Sequence, residues 1–329
     1  MSSPKLLLPP EYVQKATQRI KKAKDEVTLI CMMITEDPGT DQVINALCEA
    51  AQRGVTVSVA ADVFTYGEFG GHFVPLKYYT KKSRTTTHMA KKLAAAGVKF
   101  TWLGRFSLLP FTGRTHTKAL VVDDTIYSFG GVNLDDDSLS FTDYMFEYKN
   151  HKIAHQVRDS IKRLVAADDD NFAYRNHSYY YEGLGTILFD GGFQGNSLIY
   201  RRACQLSKEA DTILFVSQYC PVGKLGRILR NKETKLYFNQ PTNTNNKINA
   251  FIIRTGMFLS GQKTLYTRST YLHAKFMIFT MPNGEKIALT GSHNFLYAGV
   301  LLGTREIALE TNNKKVIDQL EGFFKKHVK

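Results

Sequence analysis

The chain predicts an α/β fold built from two similar halves, and three observations predict it. A His-x-Lys pattern leads an apolar run at His116–Lys118 and again at His273–Lys275, close to half the 329-residue chain apart. Each run (Ala119, Leu120, Val121, Val122; Phe276, Met277, Ile278, Phe279) is followed by a small-residue turn ending in asparagine. These turns are Gly130-Gly131-Val132-Asn133 and Gly291-Ser292-His293-Asn294. Around both, strand-like and helix-like segments alternate, the pattern of layered α/β domains.

Taken in order, Glu11 to Lys24 reads as an amphipathic helix and Val27 to Ile34 as a buried strand. Asp41 to Arg53 reads as a helix closed by Gly54, and Val55 to Val63 as the next strand. The second half repeats the sequence of elements: helix Leu198 to Glu209, strand Thr212 to Tyr219, helix Leu225 to Asn231, strand Lys235 to Asn239. A strand follows each Asn turn (Asp143 to Tyr148; Arg305 to Glu310), and an amphipathic helix closes each half. Their apolar stripes are Ile153, Val157, Ile161 and Leu164, and Val316, Ile317, Leu320, Phe323 and Phe324. The expected division is therefore 1–167 and 186–329. The stretch 168–185, with its Asp168-Asp169-Asp170 and Tyr179-Tyr180-Tyr181 runs, is expected as the linker.

Composition narrows the function. Forty-three basic residues against 30 acidic ones give a net charge of +13, which favours a polyanionic partner, nucleic acid or anionic lipid. Four scattered cysteines without CxxC spacing fit buried thiols in a reducing cytosol rather than a disulfide framework. The apolar stretch near the N-terminus is too short for a signal peptide, and no window approaches the ~20 apolar residues of a membrane span. The expectation is a cytoplasmic protein, peripheral at the inner face of the membrane.

At i and i+2 on a strand, each His and Lys share one face. An imidazole beside a fixed ammonium and a tight polar turn suits phosphate chemistry. The imidazole can attack phosphorus, the lysine neutralises oxygens, and backbone N–H groups of the turn can approach the anion.

These residues resemble the signature of the phospholipase D superfamily, HxK(x)4D(x)6G[GS]xN, which is usually present twice. His116, Lys118, Asp123, Gly130, Gly131 and Asn133 match it position for position. The second copy matches at His273, Lys275, Gly291, Ser292 and Asn294, with Thr280 in place of the Asp and a longer gap in which Pro282-Asn283-Gly284 reads as a hairpin. The resemblance implies two similar α/β halves, each a mixed sheet flanked by helices, packed with pseudo-twofold symmetry around one site. A monomer then suffices for a complete site.

The resemblance also implies roles. His116 and His273 are the catalytic pair, with His116 as nucleophile; Lys118 and Lys275 hold the phosphoryl oxygens. Asn133, Asn294, Gly131 and Ser292 form the phosphate cradle, while Asp123 and Thr280 are structural. Each histidine needs an orienting carboxylate, for which Asp143 and Glu306 are the candidates, with Glu147 a weaker one in the first half. No metal or other cofactor is implied; His151 and His155 have helical i,i+4 spacing but no third ligand.

The motif alone does not separate phospholipid from nucleic acid. The apolar run before His116, with Phe106, Leu108, Leu109 and Phe111, suits acyl-chain or membrane contact. The lead into the first motif and the Gly130 to Asp136 continuation are similar to those of cardiolipin synthases. The basic run from Pro75 to Lys92 suits anionic headgroups or single-stranded nucleic acid equally. The expectation is a phospholipid phosphodiesterase or phosphatidyltransferase acting through a phosphohistidine. A metal-independent nuclease is the alternative.

Overall fold

The computed structural model describes residues 3–66, 81–104, 113–169, 174–244 and 246–329. The described strands form two seven-stranded mixed sheets. The first contains β1 (Lys5–Leu7), β2 (Glu26–Cys31), β3 (Thr56–Asp62), β4 (Lys99–Leu103), β5 (Ala119–Val122), β6 (Thr125–Ser128) and β7 (Met145–Lys149). Its order is β1-β7-β6-β5-β2-β3-β4. The second contains β8 (His177–Tyr181), β9 (Gly185–Gly191), β10 (Thr212–Val216), β11 (Glu233–Tyr237), β12 (Phe276–Thr280), β13 (Lys286–Gly291) and β14 (Arg305–Thr311), in the order β11-β10-β12-β13-β14-β9-β8.

The run β3-β2-β5-β6-β7-β1 corresponds strand for strand to β11-β10-β12-β13-β14-β9. Parallel pairing is confined to β2, β3 and β4 in one sheet and to β10 and β11 in the other. The duplication expected from the motifs is thus a duplication of sheet topology. Each sheet adds one edge strand of its own, β4 in the first and β8 in the second. Strand β8 corrects the expected linker. Helix α5 (His151–Asp169) runs into the stretch 168–185, and Tyr179-Tyr180-Tyr181 lies in β8, paired antiparallel to β9.

Helices cover the outer faces. Helix α1 (Pro9–Lys21) begins earlier than expected because Pro9 and Pro10 fill the first helical positions, where no N–H is needed. With α2 (Asp41–Gln52) and α3 (Lys81–Ala95) it buries Tyr12, Val13, Ile44, Leu47, Met89 and Leu93 against the first sheet. Helices α6 (Leu198–Glu209) and α7 (Gly223–Arg230) do the same for the second sheet through Ile199, Cys204, Leu225 and Leu229. All four cysteines are buried free thiols.

The largest core lies between the halves. Tyr144, Phe146 and Ile153 of the first meet Phe276, Ile278, Ile307 and Phe323 of the second, and α10 (Lys314–Phe323) closes it. Thr290 ties the seam with hydrogen bonds, a 2.5 Å contact with the Tyr144 hydroxyl and a 2.8 Å bond donated to the Phe129 carbonyl. Among the described residues, no helix is long and apolar enough to cross a membrane.

Candidate active site

Two parallel bridges across the seam build the site. In one, Thr115 meets Arg305; His116 N–H donates to the Arg305 carbonyl at 2.9 Å, and Arg305 N–H to the Arg114 carbonyl at 2.8 Å. In the other, Thr142 meets Leu272, and the N–H groups of His273 and Ala274 both donate to the Thr142 carbonyl at 3.0 Å. The residue after each bridging position therefore faces its counterpart from the other half, His116 opposite Glu306 and Asp143 opposite His273.

The carboxylates expected from the sequence are present but exchanged between halves. His273 Nδ1 hydrogen-bonds Asp143 Oδ2 at 2.7 Å. His116 Nδ1 lies 3.3 Å from Glu306 Oε1, within ion-pair range, yet makes no aligned hydrogen bond. Glu147, the alternative, points elsewhere and accepts from the Tyr127 hydroxyl at 2.8 Å. Neighbouring groups fix the pair. Asn239 clamps Leu272 through both backbone groups (2.7 and 2.8 Å), and Phe141 and Tyr271 pack around the His273 ring.

Lys118 and Lys275 are almost wholly buried. Each folds back onto the carbonyl of its own motif histidine, Lys118 to His116 at 2.9 Å and Lys275 to His273, as the i,i+2 strand spacing requires. An ammonium carries three donors, so each lysine retains capacity for an anion. Asn133 and Asn294 line the same cavity, and neither Oδ1 has a partner. These two oxygens face the cavity unengaged, while Asn133 Nδ2 donates to the Ser138 hydroxyl at 3.5 Å.

Gly131 and Ser292 correct the expected cradle. The Gly131 N–H is already engaged by Asp143 Oδ1 and the Tyr144 carbonyl, each at 3.2 Å. A Cβ on Gly131 would sit 2.6 Å from Asp143 Oδ2, so glycine here makes room for the carboxylate. The Ser292 hydroxyl donates to Glu306 Oε2 at 2.5 Å and accepts from Ile307 N–H at 3.0 Å. Both residues position the carboxylates rather than line up on an anion.

The Asp123 carboxylate accepts from the N–H groups of Lys24, Asp25 and Glu26, each at 3.0 Å, and so pins the start of β2. Thr280 sits at the matching end of β12, opposite Thr212. The extra residues of the second motif form the expected turn, with Gly284 at φ 81° donating to the Met281 carbonyl.

Burial dominates the electrostatics. It lowers His116 well below the ordinary imidazole value, and the charges of Lys118 and Lys275 add to the effect. His273 is lowered to about 4 by burial and Lys275, against the upward pull of its Asp143 hydrogen bond. For Asp143 the upward push of burial is outweighed by His273 and Lys275, so it stays below the usual carboxylate range. Glu306 is raised to about 7 by burial, with Lys118 and Ser292 pulling the other way. Lys275 is lowered to about 7, again chiefly by burial.

The cavity holding these groups measures about 800 Å³. Its floor is polar, with both histidines, both lysines and Glu306; the remaining lining joins apolar side chains, including Met32, Met33, Phe141, Phe251, Ile252 and Leu296, to polar ones such as Lys82, Asp135, Gln218 and Asn249. Arg114 also reaches it, held by a buried ion pair to Asp62 at 2.9 Å. His293 lines it too, with Nδ1 accepting from Phe295 N–H at 2.8 Å.

Several of these residues were not legible in the sequence. Arg114, Phe141 and His293 stand beside the motifs, and only the fold turns them inward. Phe251 and Ile252 lie on α8 (Lys247–Ser260), far from either motif in sequence. The expected lipid contacts Phe106, Leu108, Leu109 and Phe111 lie outside the described residues, as does the basic run from Pro75 up to residue 80. His155, one of the pair with helical spacing, lies 3.2 Å from Asp159 on the exposed side of α5.

Comparison with known proteins agrees with this geometry. Residues 16–165 match a family described as "Cardiolipin synthase, PLD-like domain". Among solved structures, phosphatidylserine synthase from Haemophilus influenzae Rd KW20 superposes with a TM-score of 0.75 at 12% identity, covering 99% of this chain and 87% of that one. Polyphosphate kinase from Porphyromonas gingivalis superposes with a TM-score of 0.61 at 12% identity, covering 97% of this chain and 46% of that one. At such identities the likeness is one of fold. No curated protein matches the chain at a significant level. The family match thus covers the first half of the chain, and the second half repeats the sheet topology of the first within a fold shared with phosphatidylserine synthase.

Proposed function

We propose that the chain is a phospholipid phosphodiesterase or phosphatidyltransferase that works through a covalent phosphohistidine. The observation that carries this reading is the cavity itself. Two histidines, each facing a carboxylate from the opposite half, share the cavity with two buried lysines, and an apolar cluster including Ile248, Phe251, Ile252, Leu296 and Leu302 forms one part of its wall. A phosphodiester with acyl chains matches both parts. The family description names cardiolipin synthase and the fold neighbour is phosphatidylserine synthase, which supports phosphatidyl transfer over simple hydrolysis.

In this mechanism His116 attacks phosphorus, forming a P–N bond, while the P–O bond to the leaving alcohol breaks and His273 gives that oxygen a proton. His273 then takes a proton from the acceptor alcohol or water as its oxygen attacks phosphorus. The P–N bond breaks and His116 is released. Lys118 and Lys275 neutralise the non-bridging oxygens, in a site where few waters compete. The assignment of His116 as nucleophile is supported by its loose carboxylate contact. A general acid needs a partner that favours its protonated form, and it is His273 that has the in-line 2.7 Å bond to a carboxylate. Asn133 and Asn294 are placed to orient the alcohol or the phosphate. The enzyme would work peripherally at an anionic membrane surface.

The test is direct. Purified protein is incubated in EDTA with phosphatidylglycerol or cardiolipin vesicles and, separately, with single-stranded DNA, and the products are analysed. Turnover of lipid is expected. Cleavage of DNA without lipid turnover would replace this reading with the nuclease one.

A further inference from the structure

Helix α8 is amphipathic in the wrong sense for a helix of a globular core. Ile248, Phe251, Ile252, Thr255, Phe258 and Leu259 fall at i, i+3, i+4, i+7, i+10 and i+11, a stripe covering about a third of the circumference. Such a stripe ordinarily packs inward. Here Phe251 is 67% exposed, Phe258 85% and Leu259 68%, and Ile248 and Ile252 are also exposed. The helix docks instead by its other side, through the buried Ile253 and Ser260 and with Met257 against the second-half core. The fold is therefore satisfied without the stripe.

We propose that α8 is a membrane-docking helix, whose apolar stripe enters the acyl boundary of an anionic bilayer and brings the mouth of the catalytic cavity to the lipid surface. The inference rests on the phospholipid reading above and names the element that meets the bilayer. Two further observations carry it. The stripe is continuous with the site, because Ile248, Phe251 and Ile252 line the cavity together with Leu296 and Leu302 of the facing segment. A lipid could pass from bilayer to cavity along apolar side chains without exposing its tails to water.

The charge around the stripe has the sign an anionic surface requires. Lys247 and Arg254 lie along one edge, Lys263 follows the Gly261 cap, and from residue 212 to 284 the only acidic residue is Glu233. An apolar face edged by basic residues is the pattern of helices that lie in the headgroup plane, sunk ~5–10 Å. A second copy fits less well. A twofold contact centred on the stripe would set its basic edge against an identical basic edge, with no acidic partners nearby. Nucleic acid fits less well again: Phe251 and Phe258 could each stack a base, but Ile248, Ile252 and Leu259 between and beside them offer bases no stacking surface.

The experiment compares the intact chain with a Phe258→Ser/Leu259→Ser variant in flotation with phosphatidylglycerol and with phosphatidylcholine vesicles. Both substituted residues are exposed and outside the cavity lining, so thermal unfolding and turnover of a short-chain soluble phosphodiester should be unchanged. Binding of the variant to phosphatidylglycerol vesicles should fall at least tenfold, and wild type should prefer phosphatidylglycerol to phosphatidylcholine. As a second readout, the added emission of Phe258→Trp should shift to the blue on mixing with phosphatidylglycerol vesicles. Unaltered flotation of the double variant, or no shift in Phe258→Trp, would overturn the proposal. So would a double variant that loses self-association in size-exclusion chromatography while still floating. Flotation and turnover report separately: binding that depends on Phe258 and Leu259 without any lipid turnover keeps the docking helix and removes the lipid chemistry. Turnover with unaltered flotation removes the docking helix alone.

Discussion

His273 Nδ1 and Asp143 Oδ2 lie 2.7 Å apart, although one residue belongs to the second half of the chain and the other to the first. The reciprocal pair, His116 and Glu306, is 3.3 Å apart and not aligned as a hydrogen bond. Neither half pairs its motif histidine with its own carboxylate. The site is complete only at the seam, and a near-symmetric frame holds an asymmetric pair.

Replacing either histidine by alanine should abolish turnover, since the mechanism needs both a nucleophile and a proton donor. Mixing the two inactive variants should restore nothing, because both histidines of a working site come from one chain. Near-normal turnover by either variant, measured as phosphodiester cleavage, would end the two-histidine assignment.

The crossed carboxylates separate the two roles. Asp143→Asn should slow turnover of a natural lipid by roughly 10²-fold or more, because His273 loses the group that favours its protonated form. A substrate with an activated leaving group, such as a p-nitrophenyl phosphodiester, needs no proton and should recover most of that loss. Glu306→Gln acts on His116 and should show no such recovery. The opposite pattern would make His273 the nucleophile.

Gly131 and Ser292 occupy matching positions but are not interchangeable. Gly131→Ser puts a Cβ 2.6 Å from Asp143 Oδ2 and 2.9 Å from the His273 carbonyl, so Asp143 must leave its place and turnover should collapse. Ser292→Ala removes only the hydroxyl on Glu306 and should cost about 1–3 kcal/mol of stability through the buried acceptor left unsatisfied. Activity and thermal unfolding of both variants check the contrast; an active Gly131→Ser protein would contradict the packing.

Asp62 and Arg114 form a buried pair that steers the chain into His116. Besides its 2.9 Å contact with Arg114, Asp62 accepts from Thr115 N–H at 2.8 Å. Asp62→Ala removes the carboxylate from a buried guanidinium that still donates to the Gly104 carbonyl at 2.7 Å, and should destabilise the protein by about 3–5 kcal/mol. Denaturant unfolding measures it, and a loss below about 1 kcal/mol would show that water reaches Arg114.

The candidate site was legible in the sequence because it is carried by short motifs. His116, Lys118, His273 and Lys275 announce themselves by i,i+2 spacing at the head of apolar runs, and the two copies announce the duplicated fold. Asp143 and Glu306 were legible as residues but not as pairs. Which carboxylate meets which histidine is set by the bridges Thr115 to Arg305 and Thr142 to Leu272, contacts between segments far apart in the chain. Strand β8 was hidden because Tyr179-Tyr180-Tyr181 has no clean apolar alternation, as befits a half-exposed sheet edge. Helix α8 escaped for a different reason: its periodicity is that of any amphipathic helix, and only the fold reveals that the stripe faces out.

Lys275 should steepen the alkaline fall of the reaction. Burial, with the charge of Lys118 pushing the same way and Asp143 and Glu306 opposing, holds its ammonium down to about 7. Below that pH the lysine is charged and can neutralise phosphoryl oxygens; above it the charge is lost. kcat/KM, which reports the free enzyme, should therefore fall about a further tenfold per pH unit above this point. A bound phosphodiester anion favours the ammonium, so the fall in kcat should come at higher pH. On the acid side Glu306, held up to about 7 by burial, becomes protonated and loses its charge beside His116. His273, the proton donor, is held to about 4 by burial, so its own deprotonation already lowers kcat/KM in the free enzyme, and the loss of the Lys275 charge steepens the fall above about 7. Lys275→Arg keeps its charge throughout this range, so the steepening above about 7 should vanish even if the guanidinium fits the site poorly and lowers the absolute rate. Glu306→Gln has no acid to titrate and should lose the acid limb. Profiles of kcat/KM from pH 5 to 9 for the three proteins decide the matter, and a fall above about 7 as steep in Lys275→Arg as in the wild type would assign the steepening to another group.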